Sequence, residues 1–101
     1  PLAKGAVMRR LLTNLKYAYI RAKDLPRALR AAERIQIVKP SAWHNLGDMV
    51  RIHSSMGNID AATDSLMQYL ENAPANEDTA GAFAALNRLR DKLGKSSPKG
   101  M

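Results

Sequence analysis

Apolar residues recur along this chain at intervals of three and four, with polar residues filling the gaps. Met8, Leu11, Leu12, Leu15, Ala18, Tyr19 and Ala22 fall on one side of a helix drawn at 3.6 residues per turn, which predicts a first amphipathic helix. Lys23-Asp24-Leu25 breaks the pattern as a turn, and Pro26 suits the first position of a second helix, where its missing N–H removes no hydrogen bond. Ala28, Ala31, Ala32, Ile35 and Val38 form the apolar side of that helix. The stripe returns in a third helix with Trp43, Leu46, Met49, Val50, His53 and Met56, and Gly57-Asn58 tolerates the left-handed conformation that ends it. Asp60 is placed to cap a fourth helix, whose stripe is Ala62, Leu66, Tyr69 and Leu70. Beyond Pro74, Asn76 is the candidate cap of a fifth helix over about 77–93, with Glu77 and Asp78 at its positive end and Phe83, Leu86, Leu89 and Leu93 on its apolar edge. Gly94 is expected to stop it, leaving 95–101 as a disordered tail.

The helices repeat in pairs. Leu12 and Leu46, Ala28 and Ala62, and Pro40 and Pro74 are each 34 residues apart, and Leu15 over Met49, Leu25 over Ile59 and Asp24 over Asn58 keep the same register in kind. That spacing is the period of a tetratricopeptide (TPR) helical hairpin. An alanine early in the second helix lets two axes approach to about 8–10 Å, and a proline after that helix removes a backbone donor and ends it. One hairpin then covers about 9–42 and the next about 43–76. Trp43, Leu46 and Gly47 also match the W-x-x-L-G that opens many TPR units, but that placement is three residues out of register with Gly57, Ala62 and Pro74. Leu46 therefore takes the place usually held by tryptophan, and Trp43 lies at the helix entrance. The expected architecture is all-α: one domain over 1–94 made of two TPR-like antiparallel hairpins and a capping helix with a polar outer face. Two hairpins and a cap fall short of the three or so repeats an independent array needs, so a second copy of the chain or an upstream domain is expected to complete the core.

A narrower resemblance rests on Leu11-Leu12-x-Asn14-Leu15-Lys16, Tyr19, Arg21, Asp24, Ala28-Leu29, Glu33-Arg34 and Pro40, followed by Asp48, Gly57, Ala62, Leu66, Tyr69-Leu70-Glu71 and Ala73-Pro74. Together these resemble the C-terminal TPR segment of the bacterial transglutaminase-like/TPR proteins of SirB type. The resemblance implies a transglutaminase-like domain upstream whose cysteine and histidine lie outside this chain, and no catalytic residue here. Lys23 stands where a glycine is usual in the first turn, and Lys39 where an acidic or small residue is commoner before the proline.

Composition narrows the chemistry. There is no cysteine, which removes disulfides, thiol nucleophiles and thiolate metal sites and favours a reducing, cytoplasmic setting. Charges interrupt every apolar run, so no stretch approaches the roughly 18 residues of a membrane span, and no secretory signal is expected. Residues 1–39 carry ten Lys and Arg against two Asp and Glu, residues 40–76 one against four, and residues 77–101 five against three, giving +8, −3 and +2. A basic first hairpin beside an acidic second one points to an anionic partner or an acidic neighbouring domain, although such a run also occurs on plain solvated faces.

Catalysis has little to work with. His44 and His53 are nine residues apart on one helix and so about 180° around it, which keeps them from sharing a metal or a proton. His53 sits on the packed stripe. The scattered glycines form no phosphate loop, and the acidic residues are too dispersed for a paired-carboxylate site. The chain reads as a non-enzyme without cofactor or metal. The resemblance to TPR units implies that the first helix of each lines a concave groove, formed here by Arg10, Asn14, Tyr17 and Arg21 from the first helix and His44, Asp48 and Arg51 from the third. Arg10, Arg21 and Arg51 offer cations to carboxylates, Asn14 amide groups to a peptide backbone, and Tyr17 a flat apolar surface. Thr13 and Tyr17 occupy the places where chaperone-binding TPR proteins carry the leading Lys and Asn of their two-carboxylate clamp, so that clamp is not matched. The function expected is binding of an acidic protein segment, or docking of a neighbouring domain. The alternative is nucleic-acid binding by Arg27, Arg30 and Arg34, an i, i+3, i+7 row able to track phosphates.

Overall fold

The computed structural model describes residues 4–96. They form α1 (Lys4–Arg21), α2 (Leu25–Val38), α3 (Trp43–Ser55), α4 (Ile59–Asn72) and α5 (Ala80–Ser96), with no strand among the described residues. Backbone packing is sequential: α1 on α2, α2 on α3, α3 on α4 and α4 on α5, and among the described residues the backbones of non-neighbouring helices do not approach one another. This is the one-dimensional stacking of a helical repeat array.

The 34-residue repeat reaches the hydrogen bonds of the turns. Asp24 N–H donates to Tyr19 O at 2.8 Å and Lys23 N–H to Ile20 O at 3.0 Å; Asn58 N–H donates to His53 O at 2.8 Å and Gly57 N–H to Ser54 O at 3.1 Å. Both hairpins thus close with the same six-to-one and five-to-two bonds of a Schellman ending, which satisfy the last carbonyls of the helix. The residue inside each ending is left-handed: Gly57 has φ 80° and Lys23 has φ 61°. The next helices start in the same register, with Ala28 N–H on Asp24 O and Ala62 N–H on Asn58 O. The two alanines are fully buried.

Burial divides into two clusters. Ala28, Ala32, Leu46, Met49 and Ile52 hold α2 against α3, while Ala62, Leu66, Leu86 and Leu89 hold α4 against α5, and Tyr69 packs against both. Leu46 is almost wholly buried, as its place in the repeat requires, and Trp43 opens α3 with its ring stacked on His44. The Tyr69 ring lies against α3 at Gly47, where an added Cβ would still be in ordinary contact with it at 3.6 Å.

Several expectations need correction. On the first stripe only Leu12 is buried; Met8, Leu11 and Leu15 are half exposed and Ala18 and Ala22 exposed, because no described helix precedes α1 to cover them. Ile52, outside the expected stripe, is core, whereas Val38 and Phe83 are exposed. The α4 cap position falls to Asn58, and Asp60 lies inside the first turn. The fifth helix begins at Ala80 because Asp78 Oδ1 accepts its N–H at 3.1 Å, while Glu77 is drawn aside to take the Tyr69 hydroxyl at 3.1 Å. It also continues through Gly94 to Ser96, since one helical glycine costs only about 1 kcal/mol. Of the expected tail, residues 97–101 lie outside the described residues.

Candidate functional site

The backbones of α1 and α3 stand apart, and the surface between them is spanned by a polar bridge. Lys16 lies four residues after Leu12 and so points inward with it; the residue is 2% exposed. Its ammonium donates to Asp48 Oδ2 at 2.8 Å and to Asn45 Oδ1 at 3.0 Å, and lies 4.6 Å from the centre of the Tyr17 ring. Asn45 is oriented in turn by donating to Ala32 O at 2.8 Å and Gln36 Oε1 at 2.7 Å. Tyr17 hydroxyl donates to Asp48 Oδ2 at 2.7 Å, and Arg51 Nη1 lies 3.8 Å from Oδ1. Every buried side-chain nitrogen and oxygen among the described residues has a partner. Such completeness is what makes a buried ion pair tolerable, because an unpaired buried charge costs several kcal/mol. The hydrogen bond to Asp48 pushes the Tyr17 phenol up to about 12, with burial and the carboxylate charge acting in the same direction. Burial first, and the bond to Glu77 second, raise that of Tyr69.

Two depressions flank Tyr17. The first, of about 260 Å³, is lined by Arg9, Thr13, Lys39 and His44 together with Tyr17 and Trp43. It lies at the start of α3, where Ala42 offers no capping side chain, so the partial positive charge of the first-turn N–H groups adds to the two cations. The second, of about 160 Å³, has Ile20, Leu25 and Ile52 in its lining and Asp48 and Arg51 beside them. An anionic group fits the first by charge, and a small apolar side chain fits the second.

Of the residues expected in the groove, Tyr17, Asp48 and Arg51 come together and His44 lies at the far end of the same surface. Asp48 is spent on Lys16 and Tyr17, a holding role rather than a free acceptor. Arg10, Asn14 and Arg21 are exposed and line neither depression. The line α1 presents there is Arg9, Thr13 and Tyr17, so Arg10 and Asn14 are one residue, or 100°, away from it. Lys16, Asn45, Arg9, Lys39 and Trp43 were missed. A signal existed for Lys16, which sits between Leu12 and Tyr19 on the packed stripe itself with an aspartate available on the third helix. Arg27, Arg30 and Arg34 line a different depression, of about 180 Å³, with Leu12, Leu15 and Tyr19 between α1 and α2.

Among the described residues, no group of three His, Cys, Asp or Glu side chains is placed to hold a metal ion, and no helix is long and apolar enough to cross a membrane. The sequence pattern of the tetratricopeptide repeat family matches residues 15–87, well over half of the chain. No curated protein matches the chain.

Proposed function

Because the chain belongs to the tetratricopeptide repeat family, whose repeats generally mediate protein–protein interaction, we propose that it is a non-catalytic module binding an acidic, extended protein segment along the inner face of α1 and α3. The observation that carries this reading is the depression at the uncapped start of α3, where Arg9, Lys39 and the helix end gather positive charge beside Tyr17 and Trp43. A carboxylate of the segment pairs with Arg9 and Lys39, and an apolar side chain farther along drops beside Ile20 and Ile52. Arg51, held only loosely by Asp48, is free to turn to a second carboxylate. The bridge of Lys16, Asn45 and Asp48 keeps the two helices at a set separation, so little ordering cost falls on binding. Descent from a transglutaminase-like/TPR protein of SirB type, supported by Asn14-Leu15-Lys16 and Tyr69-Leu70-Glu71, belongs to the same proposal and supplies a neighbouring domain as one source of the segment.

The test is fluorescence anisotropy with a labelled peptide carrying glutamates followed by a leucine. The wild-type chain is expected to bind it in a salt-sensitive way, and Arg9→Glu/Lys39→Glu to lose about tenfold or more in affinity at unchanged helicity. Equal affinity in that variant sinks the reading. Displacement of the peptide by single-stranded DNA, abolished in Arg30→Glu/Arg34→Glu, moves the function to nucleic acid.

A further inference from the structure

The molecule contains its own standard for what should cover α1. Shifting the chain by 34 residues carries Leu11 onto Asn45 and Leu15 onto Met49. In α3 these positions lie under α2, with Asn45 bonded to Ala32 and Gln36 and Met49 packed in the cluster with Ala28 and Ala32. Their exposures are 4% and 9%, against 55% for Leu11 and 46% for Leu15. Ala18 is likewise exposed where its counterpart Ile52 is core. Thus α1 turns to solvent the face that α3 buries beneath a helix, and does so with leucine where α3 has asparagine. Exposed leucines in register with a buried helix–helix contact mark a place for another helix.

Charge says what kind. The groove continuing from Leu12, Leu15 and Tyr19 is walled by Arg27, Arg30 and Arg34. Arg27 pairs loosely with Asp24 at 3.5 Å, and Arg30 and Arg34 take part in no ion pair among the described residues. A second copy suits this face poorly: two copies meeting through it by a two-fold axis would bring two arginine rows together, and α4, the corresponding second helix of the other copy, is already covered by α5. We propose that the outer face of α1 and the arginine row of α2 form a second docking surface, distinct from the inner groove, for an acidic amphipathic helix of a partner protein. Its apolar ridge lies on Leu11 and Leu15, as α2 lies on Asn45 and Met49, and its flanking carboxylates meet Arg30 and Arg34.

The probe is a labelled, end-blocked helical peptide of 14 residues, the length of α2, with leucines at i, i+3, i+4 and i+7 and glutamates beside them, compared with an isomer carrying lysines instead. Wild-type chain is expected to bind the glutamate peptide, and Leu11→Ser/Leu15→Ser and Arg30→Glu/Arg34→Glu each to weaken it about tenfold or more. The arginine variant should gain the lysine peptide, and Arg9→Glu/Lys39→Glu should bind the glutamate peptide as wild type does, which separates this surface from the inner groove. Circular dichroism checks that the exposed substitutions leave the helices intact. The proposal is overturned if wild type does not bind the glutamate peptide, or if the leucine variant binds it unchanged. Sedimentation showing a dimer abolished by Leu11→Ser/Leu15→Ser assigns the face to a second copy instead. Oligonucleotide binding lost in the arginine variant but kept in the leucine variant assigns the row to nucleic acid.

Discussion

The two hairpins share their turns, their close-packed alanines and their spacing, yet they are joined to what lies beside them by opposite means. Between α1 and α3 the link is polar: Lys16 reaches Asn45 and Asp48, and Tyr17 adds a second bond to the same carboxylate. The residue 34 positions on from Lys16 is Val50, which packs against the cluster of Ala62, Leu66, Leu86 and Leu89 that joins α4 to α5. A lysine reaching another helix needs an acid at its end, whereas Val50 packs on apolar side chains, in a cluster that Ala82 and Ala85 also pack against. The same repeat therefore yields a first junction that depends on charge and a second that depends on apolar contact.

Removing the acid from the first junction has the largest expected effect. Asp48→Ala leaves the Lys16 ammonium buried with only Asn45 as a neutral partner and should cost about 3–5 kcal/mol in urea unfolding. Lys16→Met, which leaves Asp48 with Tyr17 and Arg51, should cost only about 1 kcal/mol. If the two losses are equal, the bridge is not an asymmetric buried charge. Next comes the contrast between equivalent stripe positions. Met49→Ala is expected to lose about 2–5 kcal/mol and Leu15→Ala no more than about 0.5 kcal/mol by the same measurement. A large loss at Leu15 would mean that α1 is covered in the isolated chain.

These contrasts also mark what could be read in advance. Leu12 and Leu46, Ala28 and Ala62 and the turn at Gly57 were legible because each occupies a place where helix packing or backbone conformation restricts the residue. Lys16 was legible only in its place on the packed stripe, since a lysine in a basic helix otherwise reads as solvated and only the approach of Asp48 from another helix makes burial possible. Periodicity placed Leu11 and Leu15 on an apolar side correctly but could not tell whether anything covers that side. The groove was half legible: Tyr17, Asp48 and Arg51 meet, while a helix rotation of one residue takes Arg10 and Asn14 out of it.

Smaller effects sharpen the likeness of the turns. Lys23 holds a left-handed conformation that a side chain disfavours, so Lys23→Gly should stabilise the chain by about 0.5–1 kcal/mol and Gly57→Ala should destabilise it by about 1 kcal/mol in thermal melts. Loss of stability in both would show that the Lys23 side chain contributes a contact that outweighs its strain. Smallest is a pH effect. The Tyr17 phenol titrates near 10 when unfolded and about 12 when folded, so its contribution is complete below pH 10 and is lost as pH rises towards 12. Stability should fall less steeply over that range in Tyr17→Phe than in wild type, with Tyr69, raised in the same direction, keeping part of the slope. Identical slopes would remove Tyr17 from the bridge.

By itself the sequence determined the all-helical repeat, because helical period, turn chemistry and small residues at close approaches are local or spaced at a constant interval. Which stripe is buried, which lysine is internal and where α5 starts were decided by tertiary structure alone. Burial is a relation between two surfaces, and a residue pattern describes only one of them: Leu15 and Met49 hold the same place in the repeat, and only the presence of α2 over one of them makes it core.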